Sequence, residues 1–164
     1  MKRLLPVALV ITPLFLTSLL AQTKPAPSPT AKPAAKGAVR TVDLVGTDQM
    51  KYDVTDIPAK RGEQLRVRLT AKGTMPKIAM AHNFVLLKLA ANPVKFVTAG
   101  AQARETDFIA PETKDQVIAA TPLAGAGETV EVTFKVPNAA GSYPFLCTFP
   151  GHFQAGMKGN LVVK

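Results

Sequence analysis

The sequence predicts an all-β domain, a Greek-key β-sandwich of about eight short strands with a short helical or irregular flap near residues 92–112. Three observations support this prediction. Apolar and polar residues alternate in several short runs, which is the period of a half-buried strand. Turn-forming residues separate these runs at short intervals. Residues 92–112 break the alternation and are rich in alanine, so we expect a helix or an irregular segment there.

The alternation is clearest in two segments. In residues 129–136, apolar side chains fall on one face of the expected strand and mostly polar side chains on the other. In residues 64–70, apolar residues alternate with Arg66 and Arg68. Strands at this spacing are typical of two packed sheets. The other candidate strands are 39–45, 50–54, 83–89, 115–121, 142–148 and 160–164. The turn signals are Gly46-Thr47-Asp48, Ile57-Pro58, Gly125-Ala126-Gly127, and Pro137-Asn138 with Gly141.

Residues 1–21 have the layout of a signal peptide. Lys2 and Arg3 precede an apolar run that is interrupted by prolines and hydroxyl residues, and Ala21 suits a cleavage site. Cleavage is the favoured interpretation. An uncleaved membrane anchor is the alternative, because the run is near the lower length limit for a span. We therefore expect an exported protein, periplasmic or secreted, with a membrane tether only if the segment is retained.

Residues 22–37 are expected to form an extended linker. They contain four prolines, three lysines and no large apolar residue. Such a segment cannot bury enough apolar surface to offset the loss of chain entropy. Residues 38–164 remain, and their number suits one domain with its own core.

The charge of the chain is concentrated at its N-terminal side. The formal net charge is +9, but residues 38–164 hold 15 Lys and Arg against 11 Asp and Glu, which leaves +4. No basic run with interleaved aromatic residues is present in this domain, so we do not expect nucleic-acid binding. The glycines at 125–127 are not followed by Lys-Ser or Lys-Thr, so they do not form a phosphate-binding loop.

The chain has one cysteine and two histidines. Cys147, His152 and Met157 follow each other with the spacing C-x4-H-x4-M, and His82 stands at the start of another candidate strand. Turns in the intervening residues would bring the three clustered side chains to one centre. Two imidazoles, one thiolate and a weak axial thioether are the ligands of a blue-copper electron-transfer site. The pattern predicts that the protein binds one copper ion.

Other interpretations of these residues remain open from the residues alone. A lone cysteine is often a small buried apolar residue. A Cys-His pair can act as nucleophile and base, although no orienting acid or oxyanion motif accompanies this one. Zinc would accept the cysteine and histidines, but a methionine ligand disfavours it. A copper storage or delivery protein is the alternative function. Such proteins usually show several exposed Met or His clusters, whereas this domain concentrates one set.

The sequence resembles the cupredoxins, and within them the azurin and auracyanin group. The resemblance runs across most of residues 42–164. It is carried by GTDQMKYD at 46–53, MAHNFVLL at 80–87 and CTFPGHFQAGMKGNLVVK at 147–164. It implies a cupredoxin-like Greek-key sandwich, one type 1 copper, and one-electron transfer without chemical turnover. No enzyme activity is therefore expected.

The same resemblance implies a ligand set. The equatorial ligands would be His82, Cys147 and His152, with Met157 in the axial position. The backbone carbonyl of Ala81 would approach the metal from the other side.

Residues around the ligands also receive expected roles from the resemblance. Asn83 would tie the two ligand loops together and help to shield the sulfur, and Phe149 would lie beside the ligands. An apolar docking patch around an exposed edge of His152 would be the port for electrons. The residues expected in this patch are Met80, Phe149, Pro150, Phe153 and Met50. The expected partners are redox proteins such as c-type cytochromes or respiratory-chain complexes, bound transiently through a small interface.

Two departures from azurins are visible. Azurins have three residues between the second histidine and the methionine, whereas this chain has four, as auracyanins and plastocyanins do. Azurins also have a disulfide, which a chain with one cysteine cannot form. The sequence therefore predicts an azurin-like domain with an auracyanin-like ligand loop.

Overall fold

Two β-sheets form the framework of residues 38–164, which are the residues that the computed structural model describes. The predictions for residues 1–21 and 22–37 lie outside these residues. The nine strands are β1 (Arg40–Thr47), β2 (Lys51–Tyr52), β3 (Asp56–Ala59), β4 (Gln64–Lys72), β5 (Val85–Leu87), β6 (Val117–Ala120), β7 (Thr129–Lys135), β8 (Gly141–Leu146) and β9 (Lys158–Val163).

The strands divide between a four-stranded and a five-stranded sheet. The first sheet has the order β2-β1-β4-β7 and the second the order β3-β9-β8-β5-β6. The pairs β1–β4 and β3–β9 are parallel, and the remaining pairs are antiparallel. The predicted all-β sandwich is confirmed, with nine strands where about eight were expected.

The additional strand is β3, and it corrects one expectation. Ile57 and Pro58 were expected to form a turn, but both lie within β3, which pairs in parallel with β9. Proline has no N–H to donate, so it is tolerated only where a sheet does not need that donor. Since β3 is an edge strand, Pro58 interrupts no second ladder.

The core lies between the two sheets and follows the alternation seen in the sequence. In β4, buried and more exposed residues alternate along the whole strand, and Leu65, Val67 and Leu69 are fully buried. Phe84 and Phe145 meet them from the other sheet, with ring centroids 5.1 Å apart. Each such apolar side chain stabilises the fold by about 1.5–3 kcal/mol when it is removed from water.

The segment between β5 and β6 forms the expected flap. It contains one α-helix, α1 (Pro93–Gly100), and two 3₁₀ helices, Arg104–Thr106 and Pro111–Gln116. Asn92 caps α1, because its side-chain oxygen accepts a hydrogen bond from the backbone N–H of Lys95 at 3.1 Å. The buried residues of α1 join a second apolar cluster against β5 and β8. No helix within residues 38–164 is both long enough and apolar enough to cross a membrane.

The sheet register brings two loops to the same end of the sandwich. Strands β5 and β8 are antiparallel neighbours, with Val85 opposite Leu146. The residues just before Val85 therefore lie beside the residues just after Leu146. These two segments carry the histidines and the cysteine that the sequence singled out.

Candidate metal centre

His82, Cys147 and His152 converge on one buried point. One ligand atom from each residue lies within 4.8 Å of the other two. Nδ1 of His82 is 3.3 Å from Nδ1 of His152, and Nδ1 of His152 is 3.4 Å from Sγ of Cys147. The three residues are at most 2% exposed. The structure thus brings His82 to Cys147 and His152, although His82 is 70 residues from His152 in sequence.

The backbone of His82 is held by an isolated antiparallel β-bridge to Ala124. Its N–H donates to the carbonyl of Ala124 at 2.9 Å, and its carbonyl accepts from the N–H of Ala124 at 2.7 Å. Two reciprocal hydrogen bonds fix the peptide groups on both sides of the residue. The backbone position from which the imidazole of His82 extends is therefore fixed.

The loop between β8 and β9 carries the other donors. Its ends are joined by a hydrogen bond from the N–H of Cys147 to the carbonyl of Met157, at 3.1 Å. Inside the loop, the N–H of His152 donates to Phe149 at 3.1 Å, and the N–H of Met157 donates to His152 at 2.9 Å. These bonds fold the loop back on itself and bring Met157, which is fully buried, to the same centre as the cysteine.

A glycine in β1 makes room for two of these side chains. A methyl group added at Gly46 would lie 2.9 Å from Cγ of His82 and 2.9 Å from the terminal methyl of Met157. Real side chains essentially never make contacts this close, so only glycine fits at this position. The sequence carried a signal for this role, because a glycine inside a strand often marks a close approach. The turn predicted at Gly46-Thr47-Asp48 does not include this role.

The carbonyl of Ala81 lies on the edge of the same centre. Its oxygen is 3.9 Å from Sγ of Cys147, and Ala81 is completely buried. The centre is therefore flanked by Met157 and by this carbonyl in addition to the three converging donors.

Asn83 joins the segment that carries His82 to the segment that carries Cys147 and His152. Its Oδ1 accepts from the N–H of Thr148 at 2.9 Å, and its Nδ2 donates to Oγ1 of Thr148 at 2.8 Å. The hydroxyl of Thr148 donates in turn to the carbonyl of Asp107 at 2.7 Å. Asp107 has a left-handed conformation, with φ of 53°, at the end of the first 3₁₀ helix. The roles of Thr148 and Asp107 depend on tertiary contacts that the sequence did not reveal.

Burial controls the protonation of the three converging residues. Burial raises the pKa of Cys147 to about 12, although hydrogen bonds from the backbones of Asn83 and Phe149 oppose this shift. Burial, and then the neighbouring His82, lower the pKa of His152 to about 4. Burial also lowers the pKa of His82, against the charge of Asp48. At neutral pH both imidazoles are therefore neutral and ready to donate to a metal.

The expected patch residues differ in their exposure and in their contacts with His152. Phe149 packs on His152 with ring centroids 4.8 Å apart. Pro150 is exposed, and Met80, Met50 and Phe149 are partly buried. His152 itself is only 2% exposed, so the expectation of an exposed imidazole edge was wrong. The reason is that the surrounding loops cover the ring almost completely.

Phe153 lies apart from this stacking arrangement. It packs against the apolar cluster under α1, and Nζ of Lys158 sits 4.7 Å from the centre of its ring. A cation over an aromatic face is an attractive contact. Much of the ring is therefore already occupied by contacts within the protein.

The donor set fits copper. A sulfur that becomes a thiolate on binding, two imidazole nitrogens and a thioether are soft or intermediate donors, which suit copper in both oxidation states. Magnesium and calcium prefer oxygen donors, and zinc rarely accepts a thioether. The three converging residues and Met157 are also shielded from solvent, because all four are buried.

A two-sheet β-sandwich with this donor set defines a type 1 copper protein. The chain belongs to the family of copper binding proteins described as the plastocyanin/azurin family, whose model matches residues 39–164. The predicted membership, fold and copper cofactor are thus confirmed.

Three relatives illustrate the relationship. The chain is 41% identical over 128 residues to azurin from Pseudomonas aeruginosa. The aligned region covers 76% of this chain and 84% of the azurin. The solved azurin Az-iso2 from Methylomonas sp. strain J superposes with a TM-score of 0.67 at 34% identity, over 76% of this chain and 98% of its own. Auracyanin A, a "blue" copper protein from Chloroflexus aurantiacus, superposes with a TM-score of 0.68 at 30% identity, over 77% of this chain and 100% of its own.

Proposed function

We propose that this protein carries single electrons between redox partners and catalyses no chemical conversion of a substrate. The observation that carries the proposal is the convergence of one buried sulfur and two neutral imidazoles, with Sγ of Cys147 3.4 Å from Nδ1 of His152. When bound there, copper would supply a one-electron couple between Cu(I) and Cu(II). Membership in the plastocyanin/azurin family supports electron transfer as the role.

We infer the following ligand assignment. His82, Cys147 and His152 are the strong ligands, and Met157 is the axial thioether. The carbonyl of Ala81 lies near the metal on the basis of its 3.9 Å distance from Sγ of Cys147. Because the loops are fixed by backbone hydrogen bonds at both His82 and Met157, the ligands keep nearly one arrangement in both oxidation states. A fixed arrangement keeps the reorganisation during electron transfer small.

The surface near His152 is the proposed docking site. Phe149 packs on the imidazole, and Pro150 is exposed beside it. Met80, Met50 and Phe153, which are all partly buried, complete the proposed patch. A small apolar patch suits a short-lived complex with a redox protein such as a c-type cytochrome or a respiratory-chain complex. We further propose that the protein is exported through residues 1–21, with 22–37 as a spacer ahead of the domain 38–164.

The function is tested by adding Cu(II) to the purified protein and recording its visible spectrum. We expect an intense sulfur-to-copper absorption band that ascorbate bleaches and ferricyanide restores, at one copper per chain. A pale spectrum would contradict the proposal. Release of copper on reduction would instead support the alternative role in copper storage or delivery. The export is tested separately by determining the N-terminus of the protein isolated from the cell envelope.

A further inference from the structure

We propose that the two residues of β2, Lys51 and Tyr52, form a clasp that holds the two ligand loops in their relative positions. The clasp residues are positioning residues, because each hydrogen-bonds to the backbone of one of the two loops. This inference deepens the proposed function and rests on it for the part that concerns the copper potential.

Tyr52 reaches the loop that carries His82. Its hydroxyl donates to the backbone carbonyl of Asn83, the residue that follows His82. Tyr52 is 6% exposed, and its ring packs on Phe145 with centroids 5.6 Å apart. The side chain of Asn83 in turn bonds to Thr148, the residue that follows Cys147. Tyr52 therefore fixes the residue that links the loop of His82 to the loop of Cys147.

Lys51 reaches the loop that carries His152 and Met157. Its ammonium donates to the carbonyl of Ala155, in the four-residue segment between these two residues. A methyl group at Gly156 would lie 2.6 Å from Nζ of Lys51, so the absence of a side chain there leaves room for the ammonium. Within residues 38–164, no backbone N–H outside regular elements bonds to the carbonyl of Ala155. Lys51 thus supplies a partner that the loop itself does not.

The geometry of β2 explains how two adjacent residues serve different loops. Successive side chains of a strand point to opposite faces. Lys51 is accordingly exposed, whereas Tyr52 is buried.

Strand β2 is anchored to β1, where Gly46 lies opposite Tyr52 and Thr47 lies opposite Lys51. Asp53 adds a hydrogen bond of 2.7 Å from the N–H of Val45 to its carboxylate. Gly46 is the residue that contacts His82 and Met157, so the anchor of the clasp is part of the site.

The clasp has a matched control for each of its residues. Tyr143 is also a buried tyrosine whose hydroxyl donates to a backbone carbonyl, that of Ala139 at 2.9 Å. It lies outside the two ligand loops. Lys72 is an exposed lysine that faces Thr47 from β4, as Lys51 faces it from β2. Comparing Y52F with Y143F, and K51M with K72M, separates the clasp from the general loss of a tyrosine hydroxyl or a lysine charge.

The first measurement is amide hydrogen exchange by NMR on the full chain, in the Cu(I) form and again without added copper. The reporters are the N–H of Thr148 for Tyr52 and the N–H of Met157 for Lys51. Loss of one hydrogen bond predicts exchange about three- to tenfold faster at the matching reporter in Y52F and K51M. The controls Y143F and K72M should leave these reporters close to the wild-type rates. Because the measurement without copper does not depend on the metal, it separates failure of the clasp from failure of the proposed function.

The second measurement is the reduction potential of the copper-loaded variants. Loosening the segment of His82 and Asn83 gives water easier access to the buried donors, and a more polar surrounding favours Cu(II), so Y52F should have a lower potential than Y143F. Equal exchange rates in Y52F and Y143F, or in K51M and K72M, would overturn the clasp. An equal potential in Y52F and Y143F would overturn its influence on the copper.

Discussion

The side chain of Asn83 bonds to both the backbone and the side chain of Thr148, at 2.9 and 2.8 Å. This pair connects the loop of His82 to the loop of Cys147 and His152. The register of β5 and β8 makes the pairing inevitable, since Val85 lies opposite Leu146 and the preceding and following residues continue side by side. The two halves of the site are therefore tied together by contacts within the protein.

Asn83→Leu tests this tie. The substitution leaves the buried N–H of Thr148 without its partner, which costs about 1–3 kcal/mol, and removes one of the hydrogen bonds of its hydroxyl, which keeps the bond to Asp107. We expect the free energy of unfolding without copper to fall by about 2–4 kcal/mol, measured by urea denaturation. Asn138→Ala, at an exposed asparagine, is the control. A loss no greater than that of the control would show that the tie does not stabilise the fold.

Cys147→Ser tests the role of the sulfur. Serine has nearly the same size, so the far-ultraviolet circular dichroism spectrum should keep its shape. The buried hydroxyl should lower the free energy of unfolding by about 1–3 kcal/mol. Addition of Cu(II) should give no intense visible band, because the sulfur that produces it is gone. A blue variant would rule out Cys147 as the ligand.

Met157→Gln and Met80→Gln together test which methionine is axial. Met157 is fully buried beside His82, whereas Met80 is partly exposed. An amide oxygen binds Cu(II) better than a thioether does, so Met157→Gln should keep the colour and lower the reduction potential. Met80→Gln should leave the potential near that of the wild type. The reverse pattern in voltammetry would move the axial assignment to Met80.

Gly46→Ala tests the close approach of β1 to the ligands. The added methyl group would lie 2.9 Å from His82 and from Met157. Overpacking of this kind costs about 1–3 kcal/mol, and here it would also displace two of the proposed ligands. We expect lower copper affinity and a changed electron paramagnetic resonance spectrum. Thr47→Ala, at the next residue, is the control, and a spectrum identical to the wild type in both variants would contradict the prediction.

Glu63 provides a test of pH dependence away from the metal. Burial alone would raise the pKa of Glu63, but hydrogen bonds and charge from Arg40, whose Nη2 lies 2.7 Å from its carboxylate, outweigh burial and lower that pKa. A lowered folded-state pKa contributes stability above the unfolded pKa, near 4.3, and this stability is lost as the pH falls through the folded-state pKa.

Glu63→Gln should therefore lower the free energy of unfolding at pH 7 by about 0.5–1 kcal/mol, because the pair is partly exposed. The difference from the wild type should shrink as the pH falls below 4. Glu112→Gln, at an exposed glutamate, controls for the loss of a surface charge. Denaturation curves recorded between pH 3 and 7 measure the effect. A difference that grew at low pH would have the wrong sign.

The sequence predicted those parts of the molecule that depend on local patterns. Alternation located β4 and β7, and the C-x4-H-x4-M spacing selected the residues of the ligand loop. Strand β3 was not predicted, because Ile57-Pro58 has the composition of a turn. A strand can contain this proline only because β3 lies at the edge of its sheet. Alternation cannot report that position.

The sequence also missed the residues that support the site. Thr148, Asp107, Tyr52 and Lys51 act through partners that are distant in sequence, such as Ala155, which is 104 residues from Lys51. Their residue types are ordinary for strands and loops, and only the packing of the two sheets gives them a role. The same packing covers His152, whose exposure was overestimated because burial by neighbouring loops leaves no pattern in the sequence.

The direction of two strands has a practical consequence. β1 runs from Arg40 towards Gly46 at the metal end, and β9 runs away from that end after Lys158. At about 3.3 Å per residue, Arg40 and Val163 lie roughly 15–20 Å from the ligands. A tag or surface attachment joined before Arg40 or after Val163 is therefore placed at the opposite pole. Immobilising the protein on an electrode through its C-terminal side would leave the proposed docking surface around Phe149 and Pro150 facing the solution.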